Sequence, residues 1–274
     1  MLKSRLCIAF FAFAVGCAPA QKPLTDYVNP MLGTATLWDS VDLGFKPTKR
    51  TWGAEVFPGS SLPNAMVQVS PVTKFHSGAG YQYEDSVIYG FTHTNKGHWN
   101  LCHIPLLPVT GTPTPGDYCS PFSHERESAA PGYYQVFLDR YGVDAQLSST
   151  LRCAFHKYTY PAGAAPAVLA DLQRSNEHVR VWDIRKEGDN VFAGWQQTGE
   201  KMYFYAVANR PVTGIEPVVE GDREVRIVRF GEGDGALELR IGFSFVSEKN
   251  ARENLEAEML GKSFAEVLSL IHIS

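Results

Sequence analysis

After its first twenty residues and before Ser247, this sequence contains no run of ten or more residues with a helical repeat. It offers instead about a dozen short stretches that alternate apolar and polar residues or are rich in β-branched and aromatic side chains, each closed by a turn signal. Ala65–Val69 alternates and ends at Ser70-Pro71, and Val87, Tyr89, Phe91 and His93 fall on one side of a period of two. Leu101–Val109 is apolar, but Pro105 and Pro108 point to an edge or interrupted strand. Tyr133–Leu138, Val143–Leu147, Arg152–Tyr160 and Ala167–Asp171 continue the series. Val179–Ile184, Asn190–Gln196, Lys201–Asn209, Glu224–Phe230 and Ala236–Phe245 complete it. So many short strands predict a mainly β fold, a large antiparallel β-sandwich. The 44% of hydrophobic residues is enough for its core, and the 24 glycines and 17 prolines supply its turns. With 25 basic against 29 acidic residues there is no surplus to neutralise a phosphate backbone, so nucleic acid is excluded as a partner.

Both ends depart from this pattern. Met1–Arg5 is basic and Leu6–Val15 is an apolar run too short for a stable membrane anchor, so residues 1–20 read as an export signal. Two processing routes stay open. Ala14-Val-Gly-Cys17 has the form of a lipobox, which would lipidate Cys17 and tether the chain to a membrane; Ala18-Pro-Ala20 has the form of a cleavage site. Either places the protein outside the cytoplasm, as a bacterial periplasmic protein or outer-membrane lipoprotein. Export permits disulfides, but Cys102, Cys119 and Cys153 can make one at most. At the other end Ser247–Leu260 predicts a helix, N-capped by Ser247 and stopped by Gly261. Ser263-Phe-Ala-Glu266 is a capping box opening a second helix. That helix has little length in which to bury an apolar face, so more helical chain is expected beyond it. The final LSLIHIS reads either as native or as a replacement tail. The domains expected are a signal over 1–20, a β-sandwich over 21–246 and the start of a helical linker over 247–274.

Six segments, taken in order, resemble glycoside hydrolase family 92, the calcium-dependent exo-acting α-mannosidases. They are Tyr27–Gly33 (YVNPMLG), Val56–Pro71 (VFPGSSLPNAMVQVSP), Ser77–Tyr81 (SGAGY), Ile88–Thr94 (IYGFTHT), Pro131–Val136 (PGYYQV) and Leu151–Tyr158 (LRCAFHKY). The resemblance implies an N-terminal β-sandwich joined by helices to a larger helical barrel, with the site between them. It also implies inverting hydrolysis of terminal mannose from glycans by an acid–base pair about 6.5–9.5 Å apart. In that family the barrel carries the acid and base and most calcium ligands. Nothing here matches the barrel, so no catalytic residue and no metal ligand is assigned in this chain; calcium is expected to be held by the absent domain. The loop Asn95–His103 departs from the family's Ser-Gly-rich loop and indicates no linkage.

What the sandwich should supply is walls and hydrogen bonds for mannose-containing glycans. Trp52 has a face on which a pyranose can stack, its alternative being a partly buried loop aromatic; Gly53 and Gly59 would let main chain approach a sugar, and Glu55 reads as a hydroxyl-binding residue or, in the stronger reading, a solvated loop acid. Phe75 and His76 lie in a glycine-rich loop where the resemblance places substrate contacts. His98 and Trp99, with Asn100, combine an apolar face with directed polar groups. His156 stands in a matched segment and is expected to reach the cleft, while Arg152 reads as a buried ion-pair partner. His93, His98 and His103 recur every five residues, which along one strand means opposite faces, so no metal site is read from them. The carboxylate pairs Glu84/Asp85, Asp39/Asp42 and Glu125/Glu127 do not form a complete glycosidase centre. Three functions remain open: the N-terminal part of an exported α-mannosidase, a stand-alone carbohydrate-binding lipoprotein, and a structural or adhesive surface sandwich. The ordered motifs favour the first.

Overall fold

The computed structural model describes residues 22–36, 44, 56–96 and 99–272. The export signal with Cys17, and the candidates Trp52, Gly53, Glu55, His98, Asp39 and Asp42, lie outside the described residues.

Two antiparallel sheets face each other. The first has seven strands, in spatial order Ser60–Ser61, Gln68–Val72, Gly90–Thr92, Leu106–Val109, Ala167–Ala170, Arg223–Phe230 and Val212–Glu220. The second has eight, in the order Val181–Gly188, Val191–Gln197, Lys201–Ala208, Leu237–Ser244, Cys153–Thr159, Val143–Ser149, Tyr133–Leu138 and Glu127–Ala130. Burial alternates along strands such as Tyr133–Leu138 and Lys201–Ala208, as a pleat with one face on a core requires. Phe91, Leu107, Val168 and Ile227 from the first sheet meet Val136, Leu147, Phe204 and Ile241 from the second in one buried cluster. Each such side chain contributes about 1.5–3 kcal/mol on leaving water, so the facing interior, not the turns, holds the sheets together.

The strand Leu106–Val109 is not at an edge. It pairs through all four residues with Ala167–Ala170 and, on its other side, only at Leu106 with Phe91. Because that second pairing stops at Leu106, the missing N–H of Pro108 costs the sheet nothing there. Two edge strands carry no alternation in sequence. Val212–Glu220 is interrupted by Gly214 and Pro217 and has a register shift beside Gly214. Glu127–Ala130 (ESAA) has no large apolar residue.

The C-terminal helices begin where their caps place them. Ser247 Oγ accepts from Asn250 N at the start of the helix Glu248–Glu258, and Gly261 follows with φ +83°. The reciprocal Ser263–Glu266 box opens the helix Phe264–Ser269. This second helix is short yet does bury an apolar face. Phe264 and Val267 pack with Leu255 and Met259 against Cys153 and Phe155 on the outer face of the second sheet. Close approach is possible because Gly242 has no side chain: a Cβ there would lie 2.1 Å from Ala251 O and 2.8 Å from Leu255 Cβ. Cys102, Cys119 and Cys153 are all free thiols.

Candidate functional site

Three segments converge at one end of the sandwich: the loop Thr73–Tyr81, the excursion His93–Ile104, and the stretch Asp171–Arg180 that follows a central strand. Amide side chains stitch them together. Asn176 Oδ1 accepts from His76 N at 2.6 Å, while Asn176 Nδ2 donates to Asn100 O at 2.6 Å and Ser77 O at 3.3 Å. Asn100 N donates to Gly78 O, and Gln196 Nε2 donates to the carbonyls of Leu172 and Arg174. His76, Cys102 and Ile104 occupy the left-handed region, with φ of +62°, +54° and +54°. Each such conformation costs about 1–2 kcal/mol for an L-residue. Cys102 N is held by Asn100 Oδ1 and Ile104 N by Gln196 Oε1, so the same amides that stitch the loops secure this strained backbone.

Beside this frame stands an aromatic stack. Phe75, Tyr89 and Tyr118 meet edge to face, and the Arg174 guanidinium lies 4.2 Å from the Phe75 ring centre and 5.0 Å from that of Tyr89. Arg174 also donates to Tyr118 Oη, which donates to Asp171 Oδ2 at 2.6 Å; Arg223 completes the set at 2.8 Å. Burial raises the Asp171 carboxyl, with the Tyr118 bond and Arg223 opposing. Burial and then Asp171 push the Tyr118 hydroxyl up. A cleft of about 450 Å³ opens here, lined by Lys74, Phe75, His76, Asp85, Tyr89 and Arg174. An arginine fixed over aromatic rings beside an exposed histidine offers directed donors against an apolar surface, a combination suited to a hydroxylated ligand.

Phe75 and His76 are therefore brought together, His76 exposed and Phe75 buried with Val72, Cys102 and Tyr89, the Arg174 guanidinium lying over its ring. Trp99 is half exposed on the neighbouring hairpin, opposite Lys96. Gly59 has another task than approach to a ligand. A Cβ there would lie 1.9 Å from Val69 O, so its bare backbone is consumed by packing against the second strand of the first sheet.

His156 does not reach a cleft. It is wholly buried between the sheets, with Nε2 3.0 Å from His93 Nε2 and Nδ1 bonded to the Tyr158 hydroxyl. Its strand supplies the middle of the second sheet, and position 156 points inward, opposite Leu147 and Leu239. Burial holds His93 neutral, down to about 3, and burial followed by His93 holds His156 well below the usual histidine range. His93 and His103 are not along one strand: the chain turns back between them, His93 N donates to His103 O, and both rings are buried. Arg152 does pair, with Glu258 of the first C-terminal helix, but half exposed rather than buried. Among the described carboxylates, Glu84 binds Thr36, Asp85 binds Thr73, and Glu127 is buried under the hydroxyls of Tyr81 and Tyr134. Among the described residues no three His, Cys, Asp or Glu side chains are grouped so as to hold a metal ion.

Arg174, Asn176, Glu177 and Gln196 carry much of this site without standing out in sequence. Their side-chain partners are 21 to 100 residues away, and the stretch LQRSNEH has no periodicity or motif.

Residues 27–252 match the model of the glycosyl hydrolase family 92 N-terminal domain. The chain belongs to this family. Among solved structures it is similar to a family GH92 α-mannosidase from Bacteroides thetaiotaomicron, 25% identical over 92% of this chain and 37% of that one, with a TM-score of 0.79. The complex of that enzyme with mannoimidazole superposes with 24% identity, a TM-score of 0.78 and coverage of 92% and 36%. A family GH92 inverting mannosidase from Bacteroides thetaiotaomicron VPI-5482 gives 22% identity, 0.74, and 91% and 35%. The chain thus spans a little over a third of the length of these enzymes. No curated protein matches it in a sequence search.

Proposed function

We propose that this chain is the sandwich part of an exported α-mannosidase that removes terminal mannose from glycans with inversion. In this reading the acid, the base and calcium belong to a helical domain in cis. The sandwich forms one wall of the site with the loop end built around His76, Phe75 and Arg174. The observation that carries the reading is the family match over residues 27–252. Calcium, held by hard oxygen ligands of the other domain, would bind sugar hydroxyls. In this reading the export signal carries the protein to the periplasm or, through a lipid on Cys17, to the outer membrane.

The test begins by sequencing the source DNA beyond codon 274 and expressing both the 274-residue chain and the longer product. The chain alone should release no mannose from α-mannosides, with or without calcium. The longer product should release it, first as the β-anomer, and lose activity on chelation. Calcium-stimulated release by the chain alone, or an inactive longer product, would overturn the reading. Incorporation of labelled palmitate that disappears in Cys17→Ala would establish the lipid anchor; secretion without label would reject it.

A further inference from the structure

A second, larger cleft of about 550 Å³ adjoins the first, sharing His76 and Arg174 with it. It runs along the segment Gln173–Trp182 to the turn at Asp222 and Arg223, between an edge strand of each sheet. Its volume lies within the range of small-molecule sites, about 300–1,000 Å³. We propose that this cleft binds a second pyranose of a neutral glycan, with Glu177 and Arg180 as its hydrogen-bonding residues. The proposal rests on the reading above, in which the neighbouring cleft faces the mannose that is removed.

Three observations support it. The first is charge: of the three arginines that line the cleft, Arg223 is paired with the buried Asp171 behind the wall, and Arg174 and Arg180 are matched by Glu177 and Asp222. The lining therefore favours neither an anion nor a cation, but it supplies both donors and acceptors, as hydroxyl groups require. Trp182 and Val179 add apolar surface. The second is preorganisation. Ser175 Oγ and Asn176 N bond Leu101 O, and Arg180 N bonds Gln197 O, so the segment is tied down on both sides of Glu177 and His178. Glu177 Oε2 accepts from Thr198 Oγ1 at 2.6 Å and lies 3.4 Å from His103 Nε2, which fixes the carboxylate while Oε1 takes no bond within the described residues. The third is unused capacity. His178 and Arg180 are exposed, and their side chains make no hydrogen bond or ion pair among the described residues.

The experiment is a nuclear magnetic resonance titration of the purified chain with methyl α-mannopyranoside and with an α-linked mannobiose, using acetate and sulfate as controls. Saturable binding of the sugars but not of the anions is expected. Glu177→Gln and Arg180→Ala should each weaken it about fivefold, the loss of roughly one hydrogen bond. Glu177→Gln keeps an oxygen acceptor for Thr198, and the Arg180 side chain bonds nothing among the described residues, so the urea midpoint should not move. Absence of saturable sugar binding, equal binding of the anions, or binding indifferent to both variants would overturn the cleft assignment. Mannose release by the longer product is a separate readout: if it persists while the chain shows no sugar binding, this inference fails and the proposed function stands. If release is absent, the function fails on its own.

Discussion

Between the two sheets, polar side chains answer one another. His93 meets His156, which meets Tyr158, and Glu127 takes the hydroxyls of Tyr81 and Tyr134 together with His124. At the loop end, polar side chains instead hold backbone: Asn100, Asn176 and Gln196 bond the main chain of neighbouring segments, and three residues there carry left-handed φ. The difference teaches where chemistry can be spent. An interior polar pair closed off from water adds to stability only while its protonation state is kept. A loop end braced by neutral amides leaves its charged groups, Glu177 and Arg180 among them, available to a ligand.

Acid should break this comparison most strongly. His93 and His156 are held neutral in the fold, whereas each takes up a proton near pH 6.5 when unfolded. Below that value the unfolded chain binds more protons, so the stability present above pH 6.5 falls as the pH drops toward the folded values. Between pH 7.5 and pH 5 two such histidines cost about 4 kcal/mol. Asp171, whose carboxyl is raised by burial, opposes this trend only as the pH nears the carboxylate range. Urea denaturation at a series of pH values measures the slope. A flat profile over this window would mean the pair is not sealed from protons.

The boundary between the regions is tested at Gly59. Gly59→Ala drives a methyl into the Val69 carbonyl, backbone against backbone, and should cost about 3 kcal/mol. A variant within about 0.5 kcal/mol of the parent in urea would show that this contact can relax and that the site is loop-like.

Legibility from sequence follows the same divide. The central strands of the second sheet and both helix caps are local: alternation of period two and the residues flanking a helix carry the whole signal. Tyr133–Leu138 occupies the predicted residues, and the Ser263–Glu266 box forms as written. The edge strand Val212–Glu220 was hidden because neither Gly214 nor Pro217 suits a strand interior, and only pairing with Arg223–Phe230 makes it one. His156 lies in one of the segments that resemble the family, but whether such a histidine faces a cleft or a core is decided by a partner 63 residues away. The contacts of Arg174 with Phe75 and of Asn176 with His76 are longer still in sequence, and no spacing rule anticipates them.

At the loop end, Asn176→Ala removes the bonds to His76 N, Asn100 O and Ser77 O. The exposed edge of this network lets water replace part of what is lost, so a cost of about 2 kcal/mol is expected, less than at Gly59. The loop Thr73–Tyr81 should loosen as well, seen as faster amide hydrogen exchange at His76 and Ser77 with interior strands unchanged. Uniform acceleration across both sheets would mean that this amide is as integral as the interior pairs.

The smallest effect, and the one of opposite sign, is expected at His76. With φ +62° and an exposed ring, His76 accepts backbone strain without burying its side chain. His76→Gly removes the Cβ clash, and although glycine gives back some entropy in the unfolded chain, a net gain of up to about 1 kcal/mol should result. The same change removes the imidazole shared by both clefts, so sugar binding should weaken as stability rises. A variant that is more stable and binds less would show that histidine is kept at this position against the preference of the backbone. A variant that is less stable would place His76 with the interior residues, whose side chains serve the fold.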